Sequence, residues 1–241
     1  MRATRRPSDV HLHSASVVIA ELHAVADPSR LPGMAHVGIP IERALGVSIP
    51  TLRRLARRIG PDHRLAGELW VGGIHEERML ASMIDEPQRV TSTQMERWVR
   101  EFDSWDVCDQ VCGNLFSRTS LAYPKAFEWS TRRREFVKRA AFALMATIAS
   151  HDQDATDADL AAFLPVIERE ATDDRNYVKK AVSWALRQIG KRGPGLNRRA
   201  VASARRIATM DARSARWIAS DALRELTGEP VRQRLRNGRR P

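Results

Sequence analysis

The sequence predicts an all-α protein, an α-solenoid of stacked helix pairs. Apolar residues recur at spacings of three and four along nearly the whole chain, and alternating strand patterns are absent. A similar helical segment also returns at intervals near forty residues. The chain has 241 residues, 43% of them hydrophobic, with a mean hydropathy of -0.41. This composition is typical of a soluble globular protein and excludes low-complexity and membrane-spanning classes.

Eleven segments carry the helical pattern, with brief polar connections between them. Boundary signals agree with several of these segments: Pro50 falls in a first turn, and Gly60, Gly190 and Gly228 fall near helix ends. The predicted helices are 13–26, 51–59, 63–70, 76–84, 93–102, 105–116, 132–149, 157–170, 176–191, 198–210 and 212–226.

Three of the helices resemble one another. VKRAAFALM from Val137 aligns with VKKAVSWAL from Val178, 41 residues later, and with ARWIASDAL from Ala215, 37 residues further on. These intervals suit two-helix HEAT-like repeats, which bury their apolar faces on their neighbours and leave a continuous, here concave and basic, face for binding. The alternative is that amphipathic helices resemble one another by composition alone.

The chain carries an uneven positive charge. Forty Lys and Arg against 29 Asp and Glu give +11, yet residues 1–120 balance 15 Arg against 15 acidic residues. The second half therefore holds the whole excess, which indicates a polyanionic partner, either nucleic acid or an anionic membrane surface. No apolar segment is long enough to span a bilayer.

We expect one solenoid domain over residues 13–231, a flexible segment at 1–12 and an unstructured basic tail at 232–241. Cys108 and Cys112 are the only cysteines, and no histidine lies near them to complete a metal shell. Reduced thiols in a cytoplasmic protein are expected.

The segment 176–191 places an aromatic residue among cations. On a helix, its apolar stripe consists of Val178, Ala181, Val182, Ala185 and Ile189, and a separate flank consists of Tyr177, Lys180, Trp184, Arg187 and Lys191. Cations can meet phosphates while an indole offers a flat face, so the flank is typical of a nucleic-acid-facing helix. The alternative is a tryptophan at the edge of the core beside solvated cations. Arg139 matches Lys180 in the preceding repeat, and we expect both on one common surface.

The segment SWDVCDQVCGNLF (104–116) carries a carboxylate that the helix dipole does not explain. Asp109 lies in the second turn, beside Trp105 at the border of the apolar face of Cys108, Val111 and Leu115. A half-buried carboxylate next to an indole can stabilise a developing cation. The alternative is a salt bridge between Asp109 and an arginine of the next helix.

Four motifs occur in order: GVSIPTLRRLAR (46–57), SWDVCDQVCGNLF, REFVKRAAF (134–142) and YVKKAVSWALRQIGK (177–191). Together they resemble the AlkD-like DNA alkylation repair family of HEAT-repeat DNA glycosylases, over roughly residues 34–225. The resemblance implies excision of positively charged N3- and N7-alkylated purines from duplex DNA, on a concave surface and without flipping into a deep pocket. It also implies that Trp105 and Asp109 match the active-site pair, Trp184 the second tryptophan, and Arg139 an arginine that contacts the DNA backbone.

One position departs from the family pattern. An early aromatic residue of the family should fall near His36 or Val37, and neither is Tyr or Trp. The chemistry needs few groups, because a cationic purine leaves without a general acid, so no metal or other cofactor is expected. The leading hypothesis is therefore a monofunctional alkylpurine DNA glycosylase, with Lys180, Arg187 and Lys191 adding DNA contacts. On this hypothesis we expect a DNA-associated monomer without membrane association. A non-catalytic DNA-binding repeat protein and an adaptor for an acidic protein remain the alternatives.

Overall fold

The structure, a computed structural model, describes residues 14–237. In this range every regular element is an α-helix or a short 3-10 helix, and no strand occurs. The all-α prediction is thus confirmed. The chain divides into two compact units, with the boundary between Arg89 and Val90.

The N-terminal unit contains five α-helices within the described residues. They are α1 (Ala15–Ala24), α2 (Leu31–His36), α3 (Ile49–Ile59), α4 (His63–Gly72) and α5 (His75–Ile84). The buried carboxylate of Glu76 accepts the backbone N–H groups of Leu45, Gly46 and Val47 at 2.8, 2.7 and 3.2 Å. Gly46 has φ +77°, and a Cβ there would lie 2.1 Å from the carbonyl oxygen of Asp27. Glu76 and the glycine therefore fix the connection between α2 and α3.

The C-terminal unit contains ten α-helices within the described residues. They are α6 (Ser92–Arg100), α7 (Trp105–Asn114), α8 (Ala122–Ser130), α9 (Glu135–His151), α10 (Asp157–Ala161), α11 (Leu164–Glu170), α12 (Asn176–Lys191), α13 (Pro194–Ala208), α14 (Arg213–Leu226) and α15 (Glu229–Arg236). Helices α7, α9, α12 and α14 pack side by side in that order. We call this row the α7–α14 layer. Helix α8 packs against α9, and α13 packs against both α12 and α14.

The repeated motif lies in the α7–α14 layer. Its three copies form the first turns of α9, α12 and α14, so equivalent residues occur on adjacent helices of one row. The apolar stripe predicted for α12 is confirmed, since all five of its residues are fully buried. Gly190 is the next-to-last residue of α12, near the helix end as predicted, and a Cβ there would lie 2.6 Å from Leu226. The missing side chain lets α12 approach α14 closely.

Several boundaries differ from the prediction. The segment 157–170 splits into α10 and α11, because Pro165 has no N–H to donate and its ring would clash with the carbonyl of Ala161. Helix α13 begins four residues earlier than residue 198, at Pro194, which suits a first turn. Helices α2 and α8 were not predicted.

The C-terminal segment also differs. Helix α15 runs through Arg236 and buries Val231, so residues 232–236 are helical rather than an unstructured tail. The remainder of that tail, 238–241, and the expected flexible segment 1–12 lie outside the described residues. The assignment of residues 13–231 to one solenoid domain stays a prediction.

Candidate active site and nucleic-acid interface

Helix α7 positions Trp105 and Asp109 on its partly exposed side. The N-cap is Ser104, but its hydroxyl donates to the Asp106 carboxylate at 2.7 Å instead of accepting a backbone N–H. On the adjoining face, which packs on α9, the thiols of Cys108 and Cys112 donate to the carbonyls of Phe136 and Ala140, each at 3.7 Å. Both cysteines are fully buried. These contacts fix α7 on α9 and thereby set the position of Asp109.

Asp109 forms a two-pronged ion pair with Arg139 of α9. The Arg139 Nε donates to Oδ1 at 3.0 Å and Nη2 donates to Oδ2 at 2.7 Å, while Nη1 donates to the carbonyl of Tyr177 at 2.7 Å. One guanidinium thus joins α7, α9 and α12. Its Cζ lies 5.9 Å from the centroid of the Trp105 ring, within reach of a cation–π contact.

This geometry resolves the alternative that the sequence left open for Asp109. The carboxylate does form a salt bridge, and its partner comes from α9, the neighbour of α7 in the layer, because α8 lies in a different row. The Asp109 side chain keeps 19% of its surface exposed, whereas Arg139 is only 5% exposed. The carboxylate is therefore anchored from within the protein and remains accessible at its edge.

Burial and pairing act in opposite directions on the two groups. Burial raises the pKa of the Asp109 carboxyl, and the Arg139 guanidinium opposes that rise. Burial lowers the pKa of Arg139, but the attraction of Asp109 outweighs this and the pKa is raised. The guanidinium is therefore charged throughout the physiological range.

Arg139 does not share a solvent-exposed surface with Lys180, contrary to expectation. The Asp109 carboxylate and the Tyr177 carbonyl draw the Arg139 side chain inward, and it is buried. Lys180, at the equivalent position of α12, is exposed, and its side chain makes no hydrogen bond or ion pair within residues 14–237. The assignment of Arg139 as a DNA-backbone contact stays a prediction.

Arg187 and Lys191 are paired with carboxylates of α14. Arg187 Nη1 donates to Glu225 Oε2 at 2.5 Å, and Lys191 Nζ donates to Glu225 Oε1 at 2.7 Å. Arg187 Nε also lies 3.3 Å from Asp221 Oδ2. We call these four residues the Glu225 cluster. Burial raises the pKa of Glu225, but hydrogen bonds from Lys191 and Arg187 outweigh it, so the pKa is lowered.

Trp184 is half-buried on α12, on the same side of the helix as Lys180. It lies seven residues after Tyr177, which is about 10 Å farther along the helix axis. In the described part of the chain it shows no ring contact with Trp105. The structure therefore brings together Trp105, Asp109 and Arg139, and it places Trp184 farther along the layer.

The early positions offer no additional aromatic ring. His36 ends α2 and Val37 follows it, and both are exposed in the N-terminal unit. The sequence interpretation also omitted Trp217, a residue of α14 that is 40% exposed and has Lys179 Nζ 5.7 Å from its ring centroid. The repeat alignment contains its signal, because Trp217 aligns with Lys180 and Arg139.

None of the helices in 14–237 is both long and apolar enough to cross a membrane. In the same range, no three side chains of His, Cys, Asp or Glu come together as a potential metal site.

The stacked helices, with α7, α9, α12 and α14 in one row and α8 and α13 packed against it, define a HEAT-like repeat protein, as predicted. One similar solved structure represents "a new family of proteins related to the HEAT-like repeat DNA glycosylases with affinity for branched DNA structures". It has a TM-score of 0.76 and 18% identity, covering 94% of this chain and 96% of that one. A family model described as DNA alkylation repair enzyme matches residues 18–226, and the chain belongs to this family. The family predicted from the sequence motifs is therefore confirmed.

Two other solved structures are less similar. One is an engineered protein, with a TM-score of 0.41 and 16% identity over 91% of this chain and 96% of that one. The other is a designed armadillo repeat protein in complex with a (KR)4 peptide, with a TM-score of 0.37 and 15% identity over 86% and 87% of the two chains. The search of curated protein sequences gave no significant match.

Proposed function

We propose that the protein is a monofunctional DNA glycosylase that excises positively charged N3- and N7-alkylated purines from duplex DNA. Membership in the DNA alkylation repair enzyme family supports this proposal. The observation that carries it is the fixed carboxylate of Asp109, held by the Arg139 fork beside the Trp105 ring. A charged group that needs no rearrangement during the reaction is what electrostatic catalysis requires.

The reaction breaks the bond between C1′ of the deoxyribose and the alkylated ring system. The bonding electrons pass to the purine and neutralise its positive charge, so the base leaves without protonation. Positive charge develops on the sugar, where Asp109 stabilises it, and water then adds at C1′ and loses a proton to solvent. Each Asp109 oxygen accepts one hydrogen bond from Arg139, which leaves acceptor capacity on both oxygens.

The DNA contacts of this proposal lie on α12. Lys180 is exposed and contacts a phosphate. Trp184 is partly exposed, and its ring faces the cationic base or the sugar. When DNA binds, Arg187 and Lys191 would leave their ion pairs with Glu225 and pair with phosphate oxygens. Arg139 contributes by orienting Asp109 from its buried position. The concave shape of this face and the monomeric state remain predictions.

The test is the release of 7-methylguanine and 3-methyladenine from alkylated duplex DNA under single-turnover conditions. We expect Asp109→Asn to lower the excision rate by about a hundredfold or more while duplex binding persists. Asp106→Asn is the matched control, because it removes the same charge from the same helix three residues earlier, and its rate should stay within about threefold.

The melting temperature of each variant separates lost chemistry from lost folding. An Asp109→Asn protein that is folded and excises at the normal rate would remove Asp109 from the mechanism. Absence of release of either base by the unmodified protein would overturn the proposal.

A second candidate is a non-catalytic DNA-binding protein, and one observation favours it. Both Asp109 oxygens are already paired with a buried guanidinium, which reduces the field that the carboxylate can exert on a sugar cation. The similar structure with affinity for branched DNA is consistent with this alternative. Both candidates bind DNA in a salt-dependent manner, so product release is the discriminating measurement.

A further inference from the structure

The exposed side of α14 carries a tryptophan among cations, outside the site proposed above. Trp217 is 40% exposed, which is unusual for the largest apolar side chain, and it extends from the α7–α14 layer into solvent. Lys179 Nζ lies 5.7 Å from its ring centroid. Arg213 lies one helical turn before Trp217 on the same side of α14 and is exposed.

These cations are available to a ligand. The side chain of Arg213 makes no hydrogen bond or ion pair within residues 14–237. The nearest carboxylates along the chain are already paired, since Asp211 pairs with Arg216 and Asp221 pairs with Arg187 and Arg224. We call Lys179, Arg213 and Trp217 the Trp217 patch, a cationic surface that contains an indole.

We propose that the Trp217 patch binds unpaired nucleotides of DNA, with the indole stacking on an exposed base and the cations contacting the flanking phosphates. The charge of the patch favours a polyanion over a neutral or basic protein. A regular duplex presents phosphates to such a surface but keeps its bases stacked inside. An exposed indole therefore gains most from DNA that offers an unstacked base, as at a gap, a fork or a single-stranded end.

The inference rests on the DNA-binding part of the proposed function and is independent of catalysis. It assigns α14 a ligand that the Trp105–Asp109 site does not require. Its consequence is that the protein should prefer DNA in which a duplex adjoins unpaired nucleotides over an uninterrupted duplex of the same sequence.

The experiment uses the full chain and fluorescently labelled DNA of two kinds, a duplex and the same duplex with a short single-stranded gap. We expect Trp217→Ala to weaken binding to gapped DNA about tenfold, or about 1.4 kcal/mol, and to change duplex binding less than about twofold. Trp217→Phe keeps an aromatic face and should stay within about threefold. Trp217→Leu keeps apolar bulk without the aromatic face and should behave like the alanine variant.

The control is Phe127→Ala on α8, because Phe127 is 38% exposed and lies in the other row. It should leave both affinities unchanged. Equal weakening of gapped and duplex binding by Trp217→Ala, or no weakening of either, would overturn the inference, and so would a leucine variant that binds gapped DNA normally. The leucine and phenylalanine pair gives a result even where the alanine variant does not fold.

Excision measured on the same proteins keeps the two proposals apart. A chain that fails to release alkylpurines but shows a Trp217-dependent preference for gapped DNA would refute the glycosylase proposal alone. A chain that excises from duplex DNA and shows no such preference would refute the Trp217 proposal alone.

Discussion

The Asp109–Arg139 pair and the Glu225 cluster lie in the same helix layer and differ in burial. Each region contains arginine or lysine side chains that were predicted from the sequence to contact DNA. Arg139 is 5% exposed, whereas the side chains of Arg187 and Glu225 keep 27% and 30% of their surface exposed. Breaking a buried pair leaves an unpaired charge out of water, while a partly exposed pair is replaced by water or ions at little cost.

The buried ion pair holds its two side chains in place, whereas the partly exposed pairs can release their cations to another anion. Arg139 is committed to three acceptors on two neighbouring helices and serves the fold and the orientation of Asp109. Arg187 and Lys191 share one carboxylate and can transfer to phosphate when a polyanion arrives. The two regions should therefore respond in different assays, stability for the first and DNA affinity for the second.

The largest expected effect is on stability. Replacing Arg139 by Ala should lower the free energy of unfolding by about 3–5 kcal/mol, because the Asp109 carboxylate is left without its partner. Replacing Arg187 by Ala should cost about 0–1 kcal/mol. Urea unfolding followed by circular dichroism measures both. Equal losses in the two variants would contradict the distinction drawn between the regions.

A smaller effect is expected on DNA affinity from Glu225→Gln. This change frees Lys191 and leaves Arg187 with Asp221 as its only charged partner among the described residues, so duplex binding should tighten about tenfold at low salt, with a steeper dependence of affinity on salt. Glu229→Gln is the control, since Glu229 pairs with Arg236 on α15 and not with the layer. Unchanged affinity in Glu225→Gln would show that these two cations do not face DNA.

Lys180→Ala should have a more modest effect. Losing one phosphate contact should weaken binding a few-fold at all sequences and reduce the salt slope by about one unit. Arg205→Ala removes one exposed cation from α13, in the other row, and should change the slope much less. If the two variants behave alike, the charge acts through the whole molecule and not through α12.

The smallest expected effect is on the pH dependence of stability, and its sign differs between the regions. The raised pKa of Asp109 means that its contribution to stability is lost as pH rises from its ordinary value of 3.8 through the raised value. The lowered pKa of Glu225 means that its contribution is present above 4.5 and is lost as pH falls.

Unfolding measured across the acidic range tests these signs. As pH rises, the stability of the wild type relative to Glu225→Gln should grow, and its stability relative to Asp109→Asn should shrink. If both stability differences change in the same direction as pH rises, burial does not determine the direction of the pKa shift of Asp109.

Local periodicity was sufficient to predict α12 and the repeat. The apolar stripe of α12 is set by residues three and four apart on one helix, and neighbouring copies of its motif pack beside it. Helix α8 was missed although Ala122, Ala126 and Trp129 carry the same spacing, since its Pro124 resembles a helix breaker but lies in the first turn.

The side-chain pairing of the site could not be predicted from periodicity. Arg139 and Lys180 occupy equivalent positions, but the carboxylate that buries Arg139 comes from α7, 30 residues earlier in the chain. Among the described residues Lys180 has no such carboxylate, whereas Arg187 and Lys191 pair with carboxylates of α14. Which cation is left for a ligand depends on the adjacent helix, and that contact is set only by the folded layer.

The two thiols beneath Asp109 make the site accessible to kinetic measurement. Cys108 and Cys112 are the only cysteines of the chain, both are fully buried against α9, and burial raises the pKa of the Cys108 thiol well above its ordinary value. A thiol reagent can therefore react only while α7 is detached from α9. The labelling rate of the unmodified protein therefore reports how often α7, which carries Asp109, detaches from α9. A ligand that holds α7 against α9 would slow the reaction without touching either sulfur.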